Sequence, residues 1–177
     1  LGLRKLEIDL FYDARDQSFP VGHAQIIDMN SHCDTLLVCL QDVRVWSEQN
    51  PRHAPIWISF NLKDQAIPGL PDPELFTPEA LNLLDEQLRG ALTTQLIQPA
   101  DVQGLNWPTL AEARGKVLLI LDEGGAKRDW YYNNWQTRPM FTNAPEGHPA
   151  AGVMIINDPI EDFARIQRLV KAGYLVR

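Results

Sequence analysis

The sequence predicts an α/β fold built from parallel strands covered by helices. Three observations carry that expectation. Strand-like apolar runs alternate with helical patterns along the chain. The run over 55–62 is apolar on both faces at its start, as expected of a strand covered by helices or closed in a barrel. Polar residues end successive strands at Asp9, Asn61, Asp122 and Asn143. Both (β/α)8 barrels and open doubly wound sheets carry their chemistry at that strand edge. No glycine-rich phosphate loop follows the first strand, which weakens the nucleotide-binding form of the open sheet.

The elements follow in order. A first strand is predicted over 3–10, with Glu7 and Asp9 on one face and Leu6, Ile8 and Leu10 on the other. A loop carrying Asp13, Asp16 and His23 comes next. Ser31 and Asp34 have the spacing of a capping box, and the helix behind them runs to about residue 48, with Leu36, Leu40 and Val43 on one face. Asn50-Pro51 ends it. The second strand is 55–62, and the proline-rich stretch 65–76 is a loop. Thr77-Pro78-Glu79 opens a helix with a cap, a proline at its first position and an early acid, and Leu81, Leu84 and Leu88 form its apolar stripe. A loop with Pro99, Gly104 and Trp107 leads to a short helix over 108–114, stopped by Gly115. Residues 116–122 are the third clear strand, and 139–143 and 152–156 are further candidates. A helix over about 160–172 should turn Phe163, Ile166 and Leu169 inward and stop at Gly173, before a last strand beginning at Tyr174.

Composition narrows the function. The 177 residues carry a formal net charge of −7, with the basic residues scattered. That argues against a phosphate-tracking nucleic-acid face and against long-range attraction to an anionic membrane. No apolar run is long enough to span a bilayer. Cys33 and Cys39 are the only cysteines. Taken as two positions on one helix, their Cα atoms would lie roughly 9 Å apart, too far for a disulfide, so they are expected to be packing residues.

The chemistry concentrates at the start. Glu7 and Asp9 are convergent carboxylates with His23 in the following loop, a set suited to holding a divalent metal and moving a proton. Asn61 is a metal ligand or substrate contact, or a polar strand end pairing with backbone. Lys63 is placed to meet a phosphate or to remain a surface lysine. Asp122 ends a strand that faces the same edge. Arg4 is a phosphate contact or an ion-pair partner of the carboxylates. His32, His53 and His148 are expected to be structural. Trp130, Tyr131, Tyr132 and Trp135 form an aromatic cluster suited to a lipid interface or to loop packing.

Several segments, in this order, resemble one family. They are Leu3-Arg4-Lys5-Leu6-Glu7-Ile8-Asp9, Val21-Gly22-His23, Cys33-Asp34-Thr35-Leu36, and Ala54-Pro55-Ile56 leading to Lys63-Asp64. Further on come the stretch 107–117 from Trp107, Met140-Phe141-Thr142-Asn143-Ala144-Pro145, and Ala172-Gly173-Tyr174-Leu175-Val176-Arg177. Together they resemble the bacterial calcium-dependent phosphoinositide-specific phospholipase C-like proteins.

The resemblance implies a TIM-type (β/α) barrel, incomplete in this chain, with residues 1–177 forming part of one barrel domain. It implies that Glu7 and Asp9 are calcium ligands and that His23 is the general acid. Asn61 would stand where related phospholipases place another acidic ligand, keeping a carbonyl oxygen but losing a charge. The hard oxygens of Glu7 and Asp9 suit the implied Ca2+, with Mg2+ the alternative. The family's first histidine and a neighbouring Asn lie on a strand upstream of Leu1, and the closing strands lie beyond Arg177. The chain is therefore expected to be truncated at both ends, to form an open barrel with exposed apolar edges, and to be nearly inactive alone. The implied reaction is phosphodiester cleavage of a phosphoinositide-type lipid through a cyclic inositol phosphate, with transient membrane-surface contact and no protein or nucleic-acid partner. The resemblance also implies a secreted or periplasmic setting. The alternatives are a glycerophosphodiester phosphodiesterase-like enzyme, and an inactive barrel fragment that serves as a binding module.

Overall fold

The computed structural model of the chain describes residues 3–177. Seven strands and four α-helices follow one another as β1 (Lys5–Leu10), α1 (Leu36–Gln49), β2 (Ile56–Leu62), α2 (Pro78–Leu92), β3 (Leu96–Ile97), β4 (Val117–Leu121), α3 (Gly125–Tyr132), β5 (Met140–Thr142), β6 (Val153–Met154), α4 (Phe163–Ala172) and β7 (Leu175–Val176). Every ladder is parallel. β1 pairs with β2 and β2 with β4, while β3 and β5 both pair with β4. β3 meets its first residues and β5 its last. β6 and β7 form a second ladder. The expected α/β architecture is present, and among the described residues the wall is open: β1 has a strand on one side only.

Alternation along the strands sorts the chain into two cores. Ile8 and Leu10 of β1, Ile56, Ile58, Phe60 and Leu62 of β2, and Val117, Leu119 and Leu121 of β4 pack outward. They meet Leu36 and Leu40 of α1 and Leu81, Leu84, Leu88 and Leu92 of α2. Each fully buried side chain of this size stabilises the fold by roughly 1.5–3 kcal/mol relative to its exposed state. The opposite face of the wall holds Trp57, Leu118, Ile120, Phe141, Val153 and Leu175, so both ladders look into one inner core. On β1 that inner face changes character: Lys5, Glu7 and Asp9 replace apolar residues.

Local signals explain several elements. Thr77 caps α2, its Oγ1 accepting from the Ala80 N–H at 3.3 Å, with Pro78 at the first helical position. Gly115 lies at φ +72°, and a Cβ there would stand 2.6 Å from the Pro51 carbonyl oxygen, so only glycine fits.

Other expectations are corrected. Ser31 and Asp34 do not box the first helix. α1 starts at Leu36, its N-cap Thr35 makes no side-chain bond, and residues 34–36 are drawn into pairing with 19–21. The Asp34 carbonyl accepts from the Val21 N–H at 3.0 Å and the Phe19 carbonyl from the Leu36 N–H at 2.9 Å, which competes with a helical start there. Cys33 therefore precedes the helix instead of riding on it. Its Cα is 5.2 Å from that of Cys39, and the two form a disulfide.

Residues 108–114 make turns, not a helix, with Glu112 Oε2 accepting from both the N–H and the hydroxyl of Thr109 at 2.8 Å. Phe163 is 59% exposed because α4 only begins there, while Leu169 is buried. β3 and α3 were not anticipated: β3 has two residues, and the aromatic run hid α3. That run is packing, since Tyr131 and Trp135 are buried and Trp130 lies 4.4 Å under the Arg138 guanidinium.

Candidate active site

The C-terminal ends of β1, β2 and β4 bring most of the expected residues together. In the parallel register Asp9 lies beside Asn61 and Glu7 beside Ser59. Asp122 follows β4, its N–H bonded to the Phe60 carbonyl at 2.9 Å, so it extends the same edge.

His23 reaches this edge through a folded-back loop. The Gly22 N–H donates to the Asp9 carbonyl at 3.2 Å, and the His23 N–H donates to the Asp28 carbonyl at 2.8 Å. The glycine in Val21-Gly22-His23 has a steric reason: a Cβ on Gly22 would collide with the Met29 side chain. The His23 ring then meets Asp9, Nδ1 to Oδ2, at 2.8 Å, with the histidine side chain 70% exposed. A carboxylate only accepts, so Nδ1 carries the proton and Nε2 is the nitrogen left to exchange one with solvent or substrate.

The other oxygen of Asp9 differs. Lys63 Nζ stands 3.2 Å from Oδ1, yet this oxygen is buried and takes no hydrogen bond. Glu7 and Asp122 are joined by a group the sequence had not singled out. Arg177, just past β7, places Nη2 2.5 Å from Glu7 Oε2 and Nη1 2.5 Å from Asp122 Oδ2. Burial pushes the Asp122 carboxyl above its ordinary pKa; Arg177 opposes this, Glu7 adds to it and Lys5 opposes it weakly. Period-two alternation was the available signal for Arg177: it shares a strand face with Leu175, which packs in the inner core.

Glu123 was also missed. Its Oε1 accepts from the buried Leu62 N–H at 2.7 Å and its Oε2 pairs with Lys127 at 2.9 Å. Lys127 in turn pairs with Asp64 at 2.8 Å. Burial alone would lower the Lys127 pKa, but the bonds to Asp64 and Glu123 outweigh it and the ammonium is held above its usual value. This clasp fixes the end of β2, and with it Asn61 and Lys63. Two clefts meet at His23. One, of about 510 Å³, is lined by Glu7, Asp9 and also His32; the other, of about 450 Å³, by Asn61, Lys63, Asp122 and Glu123.

Arg4 does not join them. It lies at the opposite end of β1, five residues and roughly 16 Å of strand from Asp9. Its guanidinium stacks 4.6 Å over Trp46, in a separate cleft. Arg4 is therefore not an ion-pair partner of Glu7 or Asp9, which pair with Arg177, His23 and Lys63 instead. His53 is structural: its ring bonds Ser47 Oγ at 2.7 Å and the Ala54 carbonyl at 2.6 Å.

Among the described residues no three Asp, Glu, His or Cys side chains form a ready metal cage. The donor set nearest to one is Glu7, Asp9 and Asn61, all hard oxygen donors, with Asp9 Oδ1 buried, without a hydrogen bond and facing Lys63 Nζ at 3.2 Å. In chemistry these residues fit Ca2+ or Mg2+.

Residues 13–177 match the family model described as phosphoinositide phospholipase C, Ca2+-dependent. That span includes His23, Asn61, Lys63, Asp122 and Arg177 and leaves Glu7 and Asp9 outside it. The fold is similar to that of a Ca2+-dependent phosphatidylinositol-specific phospholipase C from Streptomyces antibioticus, at a TM-score of 0.72 and 19% identity over 99% of this chain and 73% of that one. It is also similar to a calcium-dependent phosphoinositol-specific phospholipase C from a Gram-negative Pseudomonas species. The apo form of that enzyme matches at a TM-score of 0.71 and 19% identity, and a structure described as its myoinositol complex at 0.71 and 20%. Each covers 99% of this chain and 73% of its own. No curated protein sequence matches the chain.

Proposed function

Because the chain belongs to the Ca2+-dependent phosphoinositide phospholipase C family, we propose that its strand-end cluster serves phosphodiester cleavage of an inositol phospholipid, with His23 as the general acid. The observation that carries this is the Asp9–His23 pair, 2.8 Å apart at the C-terminal edge of parallel strands. In the reaction the inositol 2-hydroxyl attacks phosphorus. The bond from phosphorus to the glycerol oxygen breaks, and a cyclic inositol phosphate and diacylglycerol result.

The chain's own residues have defined parts in this reading. Asp9 accepts from Nδ1–H and so aims Nε2; with the ring protonated on both nitrogens, Nε2–H delivers its proton to the departing glycerol oxygen, while the proton of the attacking 2-hydroxyl passes to solvent. Lys63, beside Asp9, adds positive charge where the phosphate enters. Glu123 and Lys127 keep the Asn61–Lys63 segment in place. A divalent cation would be held by Glu7, Asp9 and the Asn61 carbonyl, where it supplies Lewis-acid stabilisation of charge on the phosphoryl oxygens.

The test is product analysis on phosphatidylinositol vesicles with Ca2+, at high protein concentration and long incubation. The expected product is cyclic inositol phosphate, formed slowly, and His23→Ala should lower its rate by about 10²–10⁴. Release of a glycerophosphodiester's alcohol without a cyclic product would favour the glycerophosphodiesterase-like reading. Binding of the lipid headgroup with no cleavage of any phosphodiester would favour the binding module.

A further inference from the structure

We propose that Arg177 is an internal competitor for the metal site: its guanidinium holds Glu7 and Asp122 when no divalent cation is present and must leave Glu7 for one to bind. The inference rests on the reading of Glu7 as a metal ligand. Three features of the structure carry it.

The first is the contact itself. One planar fork bridges Glu7 of β1 and Asp122 just past β4, 2.5 Å to each, and so takes one of the two Glu7 oxygens and sets a positive charge against the carboxylate that a cation would share. The second is charge. Glu7, Asp9, Asp64, Asp122 and Glu123 bring five negative charges to this edge, and Arg177, Lys63 and Lys127 bring three positive ones, with Lys5 close by. A divalent cation entering this acidic edge beside Glu7 meets the guanidinium as a like charge. The third is freedom to move. The Arg177 backbone is pinned, its N–H donating to the Met154 carbonyl at 2.9 Å and its carbonyl accepting from the Ile156 N–H at 2.7 Å. The side chain is held only at its tip, with Nε buried and unbonded. Asn157 Oδ1, already 3.4 Å from Nη1, offers an alternative acceptor. Glu7 is 47% exposed, so a cation reaches it from solvent once the fork turns away.

The reaction is therefore an exchange of one cation for another on Glu7, and it sets a threshold for calcium. The experiment is calorimetric titration of CaCl2 into the metal-free 177-residue chain and into Arg177→Gln, Arg177→Lys and Glu7→Gln, each checked for a cooperative melt. Arg177→Gln should bind Ca2+ about fivefold more tightly than the parent, the scale of one partly exposed ion pair given up on binding. Arg177→Lys, which keeps the charge but not the fork, should fall between them, and Glu7→Gln should bind more weakly than the parent. Unchanged or weaker Ca2+ affinity in Arg177→Gln overturns the competition while leaving Glu7 as a ligand. If Arg177→Gln does not melt cooperatively, the Arg177→Lys affinity decides in the same direction. Absence of Ca2+ binding in every variant and in the parent overturns the metal reading and this inference together.

Discussion

Asp9 shows how one side chain can serve two purposes, because its two oxygens see different surroundings. Oδ2 orients His23, and Oδ1 is buried with no hydrogen bond. The sequence made the common face of Glu7 and Asp9 legible, since strand periodicity alone puts them together. The partner of Glu7 was not legible, because Arg177 is 170 residues away and only the packing of β7 brings it back. Buried charge away from the site follows the same logic. Arg138 Nη1 donates to Asp85 Oδ2 at 2.9 Å and to Asn82 Oδ1 at 2.7 Å, while the Tyr131 hydroxyl donates to Asp85 Oδ1 at 2.5 Å. Burial pushes the Asp85 carboxyl above its ordinary range, and the bonds from Tyr131 and Arg138 pull it down. Arg138→Met removes part of that pull and leaves a buried carboxylate without its cation, so it should destabilise the fold by about 3 kcal/mol at neutral pH. A carboxyl raised above its unfolded value contributes stability that is present below about pH 4 and lost as pH rises through the folded value. The deficit of Arg138→Met should therefore shrink as pH falls toward 4, which urea unfolding at pH 4, 5.5 and 7 would measure.

Elements were legible where local chemistry and tertiary context agree. The Thr77 cap with Pro78 marks α2, and the uninterrupted apolar run marks β4. They were misread where tertiary pairing overrides a local pattern. Ser31 and Asp34 have capping-box spacing, but the bridge of Thr35 to Pro20, with bonds from Val21 to Asp34 and from Leu36 to Phe19, keeps Asp34 and Thr35 out of the helix. That single displacement reverses the reading of the cysteines. The Cys33–Cys39 bridge ties the entry of α1 to the segment against which residues 19–21 pair, two positions before His23. Closing so short a loop is worth about 2 kcal/mol by chain entropy. Cys33→Ser, or the parent in a dithiol reductant, should lose about that much stability in thermal unfolding, and reductant should have no effect on Cys33→Ser.

At the scale of the molecule, five parallel strands form an open wall and β6–β7 a separate ladder, both looking into one inner core. Among the described residues the first part of β1, up to Ile8, offers an unpaired edge with Leu6 half-exposed along it, while residues 20–22 cover its end. Such an edge templates pairing with another chain. The chain should therefore self-associate as concentration rises, and Leu6→Lys should shift it toward monomer in sedimentation velocity; a parent that stays monomeric throughout would refute this. The sequence by itself determined the fold class, because helical and strand periodicities alternate and are read locally. It also determined the polar strand ends at Asp9, Asn61 and Asp122, which need only strand parity. Only the tertiary structure decided that Arg4 stands at the far end of β1, that Arg177 and Glu123 enter the site, and that the cysteines are bridged. Each of these depends on which distant segments lie side by side, and that is set by the packing of the two ladders and not by any local pattern.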